Sequence, residues 1–94
     1  MSFSDMILGE NGFLIELRCD NAFNEPTFSS ITDYLRGHAA KWRANDSVPA
    51  ADAAALFHLI DELSGGSRFW SEEVRLRAED AVLELFDLID LLET

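Results

Sequence analysis

Apolar residues recur along most of this chain at the three-or-four spacing of an amphipathic helix. Phe28, Ile31, Leu35, Ala39 and Trp42 form one such stripe. With Pro26 suited to a first helical turn, the stripe predicts a helix over 25–44. It should end at Asn45-Asp46-Ser47, whose short polar side chains compete with helical hydrogen bonding. Pro49 opens the next element. Residues 51–63 are dense in helix formers, and Leu56, Phe57, Leu59, Ile60 and Leu63 place apolar groups on more than one face, which predicts a central helix. Ser64-Gly65-Gly66-Ser67 ends it, since glycine tolerates the left-handed conformation of a C-terminal cap. Ser71 is a good N-cap for a last helix, with Glu72 and Glu73 in the first turn, where negative charge meets the positive end of the helix dipole. Val74, Ala78, Ala81, Val82, Leu85, Phe86, Leu88, Ile89 and Leu92 then follow helical spacing and predict one wide buried face. Leu76, Leu83 and Leu91 fall off that stripe.

The N-terminal segment follows a different pattern. Phe13, Ile15, Leu17 and Cys19 alternate with Leu14, Glu16 and Arg18, as in a half-buried strand. Gly9-Glu10-Asn11-Gly12 supplies turn residues before it, so 3–8 either pairs back as the first strand of a hairpin or forms a helix over 4–8 that breaks at the glycines. An isolated two-stranded hairpin is marginal in water and would have to lean on the helices. The short connections at 45–48 and 64–67 imply antiparallel neighbours. The predicted fold is mainly α: a three-helix bundle with a short N-terminal strand or hairpin, in a single domain over 1–94.

Composition narrows the partners. Apolar residues make up 48% of the 94, including seven Phe and two Trp, which is too rich for a disordered segment. A formal charge of -11 repels phosphate backbones and anionic membranes, so neither nucleic acid nor a membrane surface is an expected partner. A basic protein is the natural one, met faster at low salt. No apolar run approaches the roughly 20 residues of a membrane span. The single cysteine, Cys19, excludes an internal disulfide, and the first residues carry no signal-peptide pattern, so a cytoplasmic location is expected.

The charge is uneven. Residues 1–45 hold six acids and four bases, whereas residues 46–94 hold twelve acids and three bases. On the last predicted helix Glu73, Asp80, Glu84 and Asp87 line one face, with Arg77 inside the stripe and Asp90 beside it. Like charges at such spacings cost roughly 0.2–0.5 kcal/mol per pair, which a partner's Lys or Arg would offset. The competing reading is an ordinary solvated face. Asp61 and Glu62 extend the same negative surface if the last two helices pack antiparallel, although their position near a helix C-terminus is electrostatically unfavourable. Ser67-Arg68-Phe69-Trp70 brings together residue types that anchor interfaces, unless Phe69 staples the last helix to the core. Trp42, on its stripe, should be buried. His38 and His58 would have to converge with Cys19 or a carboxylate to hold zinc or act as a base; a partly buried structural role is expected for each. With no calcium-loop spacing, glycine-rich phosphate loop, CxxC motif or nucleophile elbow, no cofactor, metal or catalytic residue is expected.

In its small size, its negative charge and the acidic stretch 72–93, the chain resembles the bacterial immunity proteins that neutralise toxins, including those of contact-dependent inhibition systems. The resemblance implies a tight complex with a basic, often nuclease, toxin domain whose active site or neighbouring surface is occluded. The leading expectation is an inhibitory or adaptor protein that binds a basic partner through Glu73, Asp80, Glu84, Asp87 and Asp90, with Trp70 and Asp61 as neighbours. Two other classes stand beside it. One is a self-associating module, a homodimer with Leu76, Leu83 and Leu91 as its two-fold seam. The other is a small enzyme whose polar groups converge in a pocket.

Overall fold

A computed structural model describes residues 2–65 and 70–91. Within them the chain forms five helices: α1 (Phe3–Leu8), α2 (Phe13–Asp20), α3 (Glu25–Asn45), α4 (Ala50–Gly65) and α5 (Glu72–Asp90). The three long helices correspond to the three predicted from periodicity, and the ends of α3 and the start of α5 carry the expected chemistry. Pro26 sits in the first turn of α3 and Asn24 caps it, accepting from the Thr27 backbone N–H at 3.0 Å. Asp46 closes α3 in the left-handed conformation, and the Ser71 hydroxyl accepts from the Val74 N–H at the start of α5.

The N-terminal strand or hairpin is not what the described residues form. Residues 3–8 are helical, capped by a reciprocal pair in which the Ser2 hydroxyl accepts from the Asp5 N–H and the Asp5 carboxylate accepts from the Ser2 N–H. Residues 13–20 are also helical, and the apparent alternation was a short run compatible with both periods. Helical spacing places Phe13, Leu14 and Leu17 together on the buried face and leaves Cys19 exposed. The turn between α1 and α2 is held by the Gly9 N–H donating to the Asp5 carbonyl and the Gly12 N–H donating to the Gly9 carbonyl.

Direction can be read from the side-chain bridges. Arg77 near the start of α5 bonds Glu25 at the start of α3, while Arg43 near the end of α3 donates to the Leu91 carbonyl at the end of α5. The helices α3 and α5 therefore run parallel. α4 returns between them in the chain, its first-turn Asp52 accepting a 2.7 Å bond from the Tyr34 hydroxyl of α3. That bond holds the Tyr34 phenol above its ordinary pKa. The α1 helix packs against α3, α4 and α2, and Phe3 stacks on Tyr34, which stacks in turn on His38. Phe3, Ile7, Phe13, Leu14 and Leu17 from the two short helices join Phe28, Ile31, Trp42, Leu59 and Leu85 in one core. The N-terminal segment thus supplies a wall of the bundle.

The α4 helix is central as expected, meeting α1 and α5, yet Phe57 on its outer side is 80% exposed. One further expectation is corrected by the packing. Phe86, placed by periodicity on the buried face of α5, is 47% exposed at the margin of that face. Gly66, Ser67, Arg68 and Phe69, on which the glycine end of α4 and the Phe69 staple were expected, lie outside the described residues, as do Leu92, Glu93 and Thr94.

Gly37, in the middle of α3, has open space where a Cβ would stand. Gly37→Ala is expected to stabilise the fold by about 0.8–1 kcal/mol, the ordinary helix-interior difference between the two residues. Thermal unfolding followed by circular dichroism should show a midpoint several degrees higher; a fall would mean that the site meets something as the chain folds.

Candidate partner-binding surface

The acidic stripe of α5 lies on the flank that meets α3. Glu73, Arg77, Asp80, Glu84 and Asp87 recur at helical spacing there, while Ala78, Ala81, Leu85 and Leu88 turn into the core. Its centre is Arg77, part-buried beneath the start of α3. The guanidinium donates to both carboxylate oxygens of Glu25, at 2.7 and 2.9 Å, and reaches Glu84 at 3.5 Å. It also lies over the rings of Phe23 and Phe28, 4.5 and 5.2 Å from their centroids. The Glu25 hydrogen bond is the main reason that its pKa is raised, against the opposing effect of burial.

Around this nest the chain forms an open depression of about 630 Å³, lined by Phe23, Glu25, Glu73, Arg77 and Asp80 among others. Glu84 is occupied with Arg77, whereas Glu73, Asp80 and Asp87 have no ion pair among the described residues. The stripe therefore divides. One carboxylate is part of the fold, and three are exposed and in no ion pair among the described residues, a field to which a cation can add. On the opposite flank of α5, Arg75 pairs with Glu72 and Glu79 at helical spacing.

The remaining expected residues are scattered. Asp90 is exposed near the end of α5, on its outer side. Asp61 is exposed on α4, lining a depression with Phe57 and His58 that shares no residue with the one beside Glu73 and Asp80. Its companion Glu62 turns to α2 and takes a two-pronged bond from Arg18, with the Nε contact at 3.0 Å, so it belongs to an internal bridge. Trp70 is half-buried and packed against the core. Trp42 is buried as expected, and His38 is half-buried with its Nδ1 2.8 Å from the Tyr34 carbonyl. His58 is exposed, which corrects the expectation of partial burial; its place on the outer side of α4 is set by which faces α1 and α5 cover. Among the described residues no group of three or more His, Cys, Asp and Glu is placed to hold a metal ion, and no helix is long and apolar enough to cross a membrane.

Periodicity within α5 could not have found Phe23 and Glu25, which lie some fifty residues earlier in the chain. The only signal for them was indirect: an arginine inside an acidic stripe. Comparison of the chain with family models, with curated proteins and with solved structures finds no match.

Proposed function

We propose that the protein is a small acidic binding module that captures a basic protein partner on the α3-facing flank of α5. The observation that carries this reading is the gathering of Glu73, Asp80 and Glu25 around one depression beside Phe23 and Arg77, with Glu73 and Asp80 in no ion pair among the described residues. A half-buried aromatic ring beside exposed carboxylates suits a Lys or Arg side chain, whose stem packs on the apolar margin while its head meets the charge. Asp87 extends the field along the helix, and Asp90 and Asp61 add to the long-range attraction from other faces. Within this reading, the best-fitting role is that of an immunity-type inhibitor working in the cytoplasm, which neutralises a basic toxin or nuclease domain by covering its surface.

The test is affinity capture from the host at low and high salt, with Glu73→Lys/Asp80→Lys/Asp87→Lys as the comparison. These three are chosen because reversing Glu84 would also disturb Arg77. One basic protein should be retained at low salt and released as salt rises. The triple variant should bind it at least about 100-fold more weakly, since close charge pairs across an interface are worth about 1.5 kcal/mol or more. A partner indifferent to both salt and the triple reversal would remove the acidic flank from the function.

Self-association is the second reading. Its specific support is that Leu76 and Leu83 on α5 and Leu91 just beyond its end are exposed, Leu83 to 64%. A two-fold seam along them would bring Asp80, Asp87 and Asp90 of two chains together, which opposes it. Sedimentation at increasing concentration should give a monomer; a dimer dispersed by Leu83→Lys would establish the seam.

A further inference from the structure

Away from the acidic flank, α4 and α5 part to leave a groove of about 330 Å³. Phe57 and Ile60 of α4 form one wall and Phe86 and Ile89 of α5 the other, with Trp42 and Val48 closing it, and no polar residue is among those that line it. Two of its phenylalanines are open to solvent, Phe57 to 80% and Phe86 to 47%. Fully burying a side chain of this kind is worth roughly 1.5–3 kcal/mol, so the unfilled groove is a substantial reserve of binding energy.

The rim decides what can fill it. Asp61 adjoins the Phe57 wall through a shared depression, Asp46 adjoins Trp42 and Val48 through another, and Asp90 follows Ile89 directly. None of these three carboxylates has an ion pair among the described residues. Arg43, at the Asp46 end, is tied to the Leu91 carbonyl. A second copy of the chain would bring another charge of -11 and its own ring of acids to the same place, so charge opposes it as the occupant. A cationic partner is favoured instead. Two helices with an apolar furrow between them offer the seat that a third helix takes in a bundle, its ridge of apolar side chains entering the furrow.

We propose that the groove between α4 and α5 binds a cationic amphipathic helix of a partner protein, with apolar residues seated between Phe57 and Phe86 and lysines or arginines facing Asp61 and Asp90. The inference rests on the reading of a basic protein partner, but it places the apolar anchor on a different surface from the Glu73–Asp80 flank. The groove would hold the partner by shape and burial while the flank steers it.

The probe is a synthetic Leu-Lys amphipathic helical peptide of about four turns, titrated into the isotopically labelled protein, with the Leu-Glu peptide of the same pattern as control. The Leu-Lys peptide should shift the amide signals of Ala53, Phe57, Phe86 and Ile89, and the Leu-Glu peptide should leave them in place. Phe57→Ser, at a side chain whose exposure makes it dispensable for folding, should weaken Leu-Lys binding at least about tenfold. Glu73→Lys/Asp80→Lys/Asp87→Lys should need more Leu-Lys peptide but reach the same groove shifts at saturation. Binding that ignores Phe57→Ser but is lost in the triple variant would overturn the groove while leaving the acidic flank as the functional surface. Absence of groove shifts in the parent, or a dimer that Phe57→Ser disperses, would also overturn it; the basic-partner reading itself stands or falls on the capture experiment.

Discussion

Phe13→Ala is expected to destabilise the protein by about 3–5 kcal/mol, the range for removing a fully buried aromatic ring from a packed core. Phe13 has no measurable exposure and meets Phe23 edge-on at 5.0 Å, with Phe28 at 5.8 Å. Those two rings underlie the Arg77 guanidinium, so the cavity would also loosen the support of the residue that organises the acidic flank. For a domain whose whole stability is of the order of 5–15 kcal/mol, the loss is a large share. Urea unfolding followed by circular dichroism should show a lower midpoint with little change in slope. A loss below about 1 kcal/mol would mean that α2 is not an integral wall of the core.

Gly12→Ala should cost about 1–3 kcal/mol, because the added methyl group overpacks a site bounded by backbone. An ideal Cβ there would stand 2.9 Å from both the Gly9 nitrogen and the Ile7 carbonyl oxygen and 3.0 Å from the Asp5 carbonyl oxygen. None of those atoms can step aside as a side chain can. The backbone at Gly12 is extended, with φ at -78°, so the requirement is for space and not for a left-handed conformation. This distinguishes the helical turn from the predicted hairpin, in which Asn11-Gly12 would need positive φ. The thermal midpoint should fall by about 4–8 °C per kcal/mol, opposite in sign to Gly37→Ala. An unchanged midpoint would show that the α1–α2 turn relaxes freely.

The helix expected as the alternative over 4–8 is present, and the strand expected over 13–19 fails for a physical reason. Eight residues are too few to separate a period of two from one of 3.6, and Phe13, Leu14 and Leu17 satisfy the helix once Leu14 is counted as apolar. What decided between them was the packing of α1 and α2 against the other helices, which rewards a compact apolar face and needs no strand partner. Phe57 and Phe86 illustrate the same limit. Hydropathy identifies an apolar residue, but whether it is covered depends on the angle at which a neighbouring helix arrives.

The acidic stripe was legible because helical geometry alone puts positions 73, 80, 84 and 87 on one side. Its division into a carboxylate bound to Arg77 and three in no ion pair among the described residues was not, because Glu25 comes from a helix distant in the chain. By itself the sequence determined the three long helices, the end of α3 at Asn45-Asp46, the Ser71 cap of α5 and the negative field, since these follow from local spacing, local hydrogen bonding and summed charge. Only the tertiary structure decided the helical form of the N-terminus, the partners of Arg77 and Glu62, and the open groove beside Phe57, since each depends on which residues meet across the bundle.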